Sequence, residues 1–368
     1  MQQLHIISFD NPHPPSYGGV IDVYFKIRAL HGLGWKIHLH CFTDEQNVPA
    51  ALNAITEKVH FYRTSKSPLL LFSRWPFSVV SRRHGDLLKN LREVDAPILF
   101  EGLKTTWLVS ADGLPGIRKV LRLHNIEQDY FAGIAGSEQS WWRRITYGME
   151  AKKYARYDAV LAKFDHVACL SKSEHQQVAA RFGNSVYVPV FHGNTSVRQM
   201  DGFGKNVLYH GDLGTSDNVR SALFLIDCFR EMPEIELVIA SGTRNAEVDR
   251  RIASASNISF VRFNEFSELE TLFGQAHINI SWSFQRSGTK LKVINSLYCG
   301  RHCVINQNIT DDENLVSLCS IALDKTELQL QIRHLMGQRY ADSGRRGEVL
   351  EKYLDDFGNA AILAKLLS

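Results

Sequence analysis

The run from 284 to 306, FQRSGTKLKVINSLYCGRHCVIN, holds the residues best suited to bind phosphate. Gly288 lets a backbone approach a ligand closely, and Ser287 or Thr289 is the expected start of a helix. The N–H groups from Gly288 to Leu291 would then lack intrahelical partners and, with the positive end of the helix dipole, face an anion. Lys290 and Lys292 fall in the first turn, where the dipole disfavours cations, so they make more sense beside a phosphate. A second group sits in RLHNIEQDYF, where Arg122, His124, Asn125 and Glu127 bring together a guanidinium, an imidazole, an amide and a carboxylate. Such groups exchange protons with hydroxyls or hydrogen-bond them, although a lone histidine is more often structural. Asp311, Asp312 and Glu313 offer acids to a metal, but an acid-rich first helical turn explains them more simply. With no Asp-x-Asp motif, neither a metal nor any other cofactor is expected.

The elements around these residues follow from periodicity. Residues 278–282 form an apolar run that reads as a buried strand. Leu291, Val293, Ile294, Leu297 and Tyr298 repeat at helical spacing, Gly300 ends that helix, and residues 303–305 open the next strand. The turn therefore lies at the carboxyl end of a strand, where open α/β sheets bind ligands. The chain begins the same way, with a strand at 4–8, a loop NPHPPSYGG at 11–19, a helix at 20–33 and a strand at 36–41. No Gly-x-Gly-x-x-Gly follows the first strand, so a dinucleotide cradle is not expected. Strands at 98–100 and 119–123 follow, and the second delivers His124, Asn125 and Glu127 to its carboxyl edge. A long helical stretch spans 138–163, a strand runs to Ser171, and 187–190 closes the first half. The polar stretch 191–205 reads as a linker, after which strand and helix alternate again. The expected fold is α/β, with two Rossmann-like doubly wound parallel-sheet domains, 1–195 and 196–368.

Composition agrees. The chain has 368 residues, more than one core usually holds, and 44% hydrophobic and 22% charged residues are globular values. Its six cysteines are scattered and lack metal-site spacing, which fits buried thiols in a reducing compartment. The first residues already read as a strand and no apolar run approaches ~20 residues, so a cytoplasmic protein without a signal peptide or spanning helix is expected. Net charge is +3, and residues 1–195 carry 23 Lys+Arg against 17 Asp+Glu. Between 58 and 92 there are eight basic residues and one acidic residue. Such a face suits an anionic acceptor or an anionic lipid surface, or simply keeps the protein soluble. Residues 67–83, SPLLLFSRWPFSVVSRR, offer Trp75 and Phe77 to a membrane interface or to the core.

The run 284–306 resembles the nucleotide-sugar signature of the group 1 glycosyltransferases, a retaining family with the two-domain GT-B fold. In that family the helix carries a Glu, seven residues, then a second Glu that holds the ribose, while the glycine turn holds the diphosphate. Here Ser287 and Asn295 occupy those positions. Asn295 both donates and accepts, so it can still bond a ribose hydroxyl. Further matches are Gly18 and Gly19 in the loop after the first strand, His124 after its strand, Ser171 at a strand end, and Gly211 in HGDLGTSDN. The resemblance places Gly211, Gly288, Thr289, Lys290, Leu291 and Asn295 at the donor. It places Gly18, Gly19, Asn125, Glu127 and Ser171 at the acceptor or in a central cleft that the two domains face. Where the family has a basic residue just after the Gly211 loop, Asp217 and Asn218 come first and Arg220 follows; Lys290, Lys292 or Arg220 is the substitute, with Lys292 preferred and His124 as its catalytic counterpart.

The resemblance implies transfer, with retention, of a sugar from a UDP- or GDP-linked donor to a glycan or lipid-linked hydroxyl. It further implies a role in polysaccharide or glycoconjugate biosynthesis, and a terminal helix that packs back on the first domain. A nucleic-acid partner is not expected; peripheral contact with an anionic inner membrane is. The missing glutamates leave a second reading open, a degenerate scaffold that binds nucleotide or a partner enzyme without turnover. A sugar-nucleotide epimerase is a third, disfavoured by the scarcity of acids in these motifs.

Overall fold

A computed structural model describes residues 2–45, 47–138, 140–286 and 289–368. The chain divides into two units, one of Met1–Gly193 with Leu354–Ser368, the other of Asn194–Tyr353. Among the described residues the first unit holds a seven-stranded sheet of β1 (Gln3–Ser8), β2 (Lys36–Phe42), β3 (Lys58–Tyr62), β4 (Ile98–Glu101), β5 (Lys119–Leu123), β6 (His166–Cys169) and β7 (Ser185–Tyr187). Its order is β3-β2-β1-β4-β5-β6-β7, and every pairing is parallel. The central strands are apolar on both faces because helices cover both; Leu4, Ile6, Ile7, Leu99 and Leu121 are fully buried.

The second unit repeats the plan with six strands, β8 (Asn206–His210), β9 (Leu237–Ser241), β10 (Ile258–Arg262), β11 (Ala276–Ser281), β12 (His302–Ile305) and β13 (Ser320–Ile321). Its order is β10-β9-β8-β11-β12-β13, again parallel throughout. In each sheet the order reverses once, at β1/β4 and at β8/β11. At such a reversal the flanking helices diverge and open a crevice at the carboxyl ends of the strands. The residues singled out from sequence lie after these ends: Gly18 and Gly19 after β1, His124 after β5, Gly211 after β8 and Lys292 after β11.

Several boundaries differ from expectation. The last strand of the first unit is Ser185–Tyr187 rather than 187–190: Val188 still donates its N–H to Cys169 O of β6 at 3.0 Å, but its carbonyl and that of Pro189 turn to Arg122. The stretch 191–205 is not a free linker. Phe191 is buried and donates its N–H to Asp22 Oδ1 at 2.9 Å, and Gly202 pairs with Tyr340. A separate helix, Glu127–Ser137, precedes the helix Trp141–Tyr157 and went unread in the sequence. The terminal run breaks into Arg345–Tyr353 and Asp356–Leu367, since Asp355 caps the second helix by accepting from Gly358 N. That last helix groups with the first unit, packs on the helix Gly18–Gly32, and accepts His192 N and Gly193 N on Asp356 at 3.1 and 2.9 Å. Asp312 caps the helix Glu313–Val316 by accepting from Asn314 N at 3.0 Å.

Candidate functional site

In the first unit, charge is concentrated behind the β1/β4 reversal. Asp22 and Lys26 stand one turn apart on the helix Gly18–Gly32 and form an ion pair at 2.8 Å. Lys26 Nζ also reaches both oxygens of Glu101, at 2.8 and 2.9 Å. Arg122 binds Asp22 with Nη2 at 2.9 Å and Nε at 3.2 Å, then donates to Val188 O and Pro189 O. His124 closes the chain, with Nε2 2.9 Å from Glu101 Oε2. Asp22, Lys26, Glu101 and Arg122 are almost wholly buried. Burial alone would raise the two carboxyl pKa values, but Arg122 and Lys26 at Asp22, and Lys26 and His124 at Glu101, outweigh it and lower both. Asp22, Glu101 and His124 bring ligand atoms within 4.8 Å of one another, a spacing that would suit a cation. The Lys26 ammonium already pairs with both carboxylates, so an added divalent ion would have to compete with it.

Around this base lie the other expected residues. Gly18 opens its helix without a side-chain cap. A Cβ on Gly19 would meet Phe9 Cζ at 2.8 Å, so glycine is what lets the helix start sit on that ring. Asn125 is half-buried, and Glu127 opens the helix Glu127–Ser137 with its side chain buried. Ser171 caps the helix Lys172–Phe182, its Oγ accepting from Glu174 N at 3.2 Å.

The second unit brings together the residues around β8 and β11. Lys292 Nζ donates to Asn218 Oδ1 at 2.8 Å and to Trp282 O at 3.3 Å, and lies 5.1 Å from the Tyr209 ring centroid. No carboxylate among the described residues lies within ion-pair distance of it. Asp217, the nearest in sequence to that partner, instead accepts from Ser283 Oγ at 2.6 Å and Phe284 N at 2.9 Å. Enclosure of the ammonium brings the Lys292 pKa down to about 8, with Asp217 opposing and Lys290 adding to the drop. His210, buried next to it, is pushed down to about 3 by burial and by Lys292.

The structure also corrects the donor-side expectations. The helix begins at Leu291 with Lys290 at its N-cap, so Thr289 does not cap it; its hydroxyl lies 3.3 Å from Thr310 Oγ1. The Lys290 N–H is not free, since it donates to Ile309 O at 3.0 Å. The Gly211 N–H is likewise committed, to Ala240 O at 3.1 Å, and a Cβ there would press on Asn218 at 3.0 Å. Asn295 Oδ1 accepts from Asn194 Nδ2 at 3.2 Å, which leaves its own amide as the group for a ligand. Ser287 and Gly288 lie outside the described residues. Trp75 is half-buried and packs edge-on against Tyr157 at 5.3 Å, and Phe77 is half-buried with its N–H held by Glu150. More exposed apolar residues in these segments include Leu69, Phe72, Trp141, Trp142, Ile145 and Met149.

Asp22, Lys26 and Glu101 were missed as site residues. A signal existed for the first two. They interrupt the stripe Val20, Val23, Ile27, Leu30 of an otherwise apolar helix face, and a charge inside such a stripe is paired or functional. Arg122 carries the same signal inside the apolar strand KVLRL.

No family model matches the chain. An uncharacterized 44.6 kDa protein in the cps region of Klebsiella pneumoniae is 24% identical over 318 residues, which cover 81% of each sequence. Among solved structures, a mutant of S. aureus TarM in complex with fondaparinux, α-GlcNAc-glycerol and UDP superposes with TM-score 0.68 at 9% identity over 100% of both chains. WaaG, a glycosyltransferase involved in lipopolysaccharide biosynthesis, superposes with TM-score 0.62 at 12% identity, also over 100% of both. The chain has the GT-B glycosyltransferase fold. No helix among the described residues is long and apolar enough to cross a membrane.

Proposed function

We propose that the protein is a glycosyltransferase that moves a sugar from a nucleotide diphosphate donor to a hydroxyl of a glycan or lipid-linked acceptor, with retention, in polysaccharide or glycoconjugate biosynthesis. The observation that carries this reading is Lys292. An enclosed ammonium whose hydrogen bonds go to Asn218 and the Trp282 carbonyl, at the amino end of the helix Leu291–Cys299, supports an anion site there. In this reading the diphosphate lies on Lys292 and the first-turn amides, and the Asn295 amide reaches the ribose. Reaction breaks the bond from the anomeric carbon to the diphosphate oxygen and forms one to the acceptor oxygen, which loses its proton. Lys292 and the helix dipole stabilise the charge that grows on the departing diphosphate, an electrostatic form of catalysis. On the first unit, His124 is held by Glu101 through Nε2, and its other ring nitrogen serves the acceptor hydroxyl. Neither role calls for a metal.

The TarM mutant complex contains UDP, which supports a nucleoside diphosphate donor; UDP- and GDP-linked donors are both tested below. The cps-region relative and WaaG support a role in cell-surface polysaccharide assembly. Exposed Phe72, Trp141 and Trp142 beside Arg143 and Arg144 support peripheral contact with an anionic membrane, where a lipid-linked acceptor would reside. A catalytically silent nucleotide-binding scaffold is the second reading, favoured by Asn295 and Ser287 in place of acids. The deciding assay is release of nucleoside diphosphate from a panel of UDP- and GDP-sugars with and without cell-envelope glycolipid acceptors. Turnover that is lost in His124→Ala, with donor affinity kept, supports the transferase. Nucleotide binding with no release from any donor supports the scaffold.

A further inference from the structure

Four separate segments of the first unit converge on the Phe9 ring. The Gly19 backbone rests on it, and His124 meets it edge-on with ring centroids 5.4 Å apart. Lys104 places Nζ 4.8 Å from its centroid, and Arg82 donates from Nη2 to Phe9 O at 3.1 Å. The two cations differ from the other charged groups nearby in having no carboxylate partner at ion-pair distance among the described residues. Arg82 Nη1 donates to Ser78 O at 2.8 Å, and its Nε is buried without a partner. Asp10, whose carboxylate accepts Asn11 N and Tyr17 Oη, each at 2.8 Å, acts on Arg82 only at longer range. Glu127 completes the group. It is 3% exposed, and its carboxyl makes no hydrogen bond to the described residues. Burial raises its pKa, while Lys104, His124 and Arg82 act on it electrostatically in the other direction.

We propose that Arg82, Lys104 and Glu127, gathered around Phe9 and His124, form a subsite for an acceptor that carries an anionic group, phosphate or carboxylate, close to a hydroxyl. This rests on the glycosyl-transfer reading and names its acceptor class. The buried Arg82 Nε without a partner costs free energy, and the Glu127 carboxyl, set among Lys104, His124 and Arg82, has hydrogen-bonding capacity that the described residues do not use. An anion accepting from Arg82 and Lys104, with a neighbouring hydroxyl donating to Glu127, satisfies both. A neutral acceptor would leave the two cations unmatched. A cationic one would be repelled by them. The basic balance of residues 1–195 favours the same class, since it draws anions to this unit.

The test is a titration of the intact protein with glycerol 3-phosphate, glycerate, glycerol and inorganic phosphate, read by calorimetry or ligand-observed NMR. Glycerol 3-phosphate or glycerate should bind at least about tenfold tighter than glycerol, and Lys104→Gln should remove about tenfold of that affinity. Lys104 is half-exposed, and Gln removes its charge with a side chain only one atom shorter, so folding is not at stake. Glu127→Gln should weaken glycerol 3-phosphate while leaving inorganic phosphate unchanged. Whether phosphate or carboxylate is preferred names the anion. Equal binding of glycerol and the anions, or indifference to Lys104→Gln, overturns the proposal. Inorganic phosphate binding as tightly as glycerol 3-phosphate overturns the paired subsite. UDP or GDP binding with no anion effect leaves the donor reading standing. Anion binding with no nucleotide binding removes the transferase reading and keeps the subsite.

Discussion

At the scale of single residues the account turns on Lys292. Its pKa of about 8 has a direct consequence for ligand affinity. Below that pH the ammonium is charged and attracts a diphosphate; above it the charge is lost. Nucleoside diphosphate affinity should therefore fall between pH 7 and 9, while nucleoside affinity stays flat. Lys292→Gln should weaken the diphosphate by about tenfold to a hundredfold at pH 7, the range for a hydrogen bond to a charged group, and abolish its pH dependence. Calorimetry at several pH values reads both effects, and an unchanged pH profile in Lys292→Gln would remove Lys292 from the site. Lys292 was legible in the sequence because a lysine in the first turn of a helix opposes the dipole. Glu127 was also legible, as part of HNIE, but its lack of a partner was not. Pairing depends on Arg82 and Lys104, which lie far from it in sequence and are brought near only by the sheet.

At the scale of elements, the edge β1-β2-β3 carries a chain of hydrogen bonds with only one consistent direction. Val94 O can only accept, so His5 Nε2 donates to it, at 3.0 Å. His5 Nδ1 then accepts from His40 Nε2 at 3.0 Å, and His40 Nδ1 accepts from the Tyr62 hydroxyl at 2.8 Å. Tyr62 in turn accepts from Asn90 Nδ2 at 2.9 Å. Both imidazoles must be neutral, since an added proton would set two donors face to face. His60 stacks on His40 at 4.9 Å and adds a like charge when protonated. Burial lowers the pKa of His5, His38, His40 and His60. The unfolded chain, with histidines near ~6.5, then binds more protons than the folded one, so stability is full above that pH and lost as the pH falls below it. Urea unfolding at pH 7 and pH 5 should show this loss, and His40→Gln should reduce the difference; equal stability at both pH values would contradict it.

The charged network below β1/β4 makes a second prediction at this scale. Lys26→Met leaves the buried Asp22 and Glu101 with Arg122 as the sole strong cation, and should cost about 3–5 kcal/mol in denaturant unfolding. A cost below about 1 kcal/mol would place the network among the weak, solvated pairs. The strands themselves were legible because parallel strands covered on both faces read as continuous apolar runs. Boundaries failed where tertiary bonds decide. Tyr187–Val190 looked like a strand by composition, yet Arg122 claims Val188 O and Pro189 O and draws the chain off the sheet. The short helix Glu127–Ser137 was missed because its glycines and alanines give a weak apolar stripe.

At the scale of the whole molecule, two repeated sheets and the uneven charge of the chain were readable from alternation and counting, and the GT-B likeness from motifs. Trp75 and Phe77, which the sequence left open between a membrane interface and the core, are both half-buried, Trp75 against Tyr157, while Phe72 at 86% and Trp142 at 65% exposure stand out. The protein should float with anionic liposomes at low salt and less at 1 M salt, where the Debye length is about 3 Å. Trp141→Ser with Trp142→Ser should reduce that binding, whereas no flotation at low salt would remove the membrane from the account. The central claim is a nucleotide diphosphate donor site on the second unit, and the most direct measurement is thermal unfolding with UDP, GDP, ADP and CMP, each set against its nucleoside. The account predicts that UDP or GDP stabilises the protein, by about 2.7 kcal/mol at 100-fold its dissociation constant. It further predicts that the nucleoside does far less, and that Lys292→Gln erases the gap. Stabilisation by none of these nucleotides, or equal stabilisation by nucleotide and nucleoside, would contradict it.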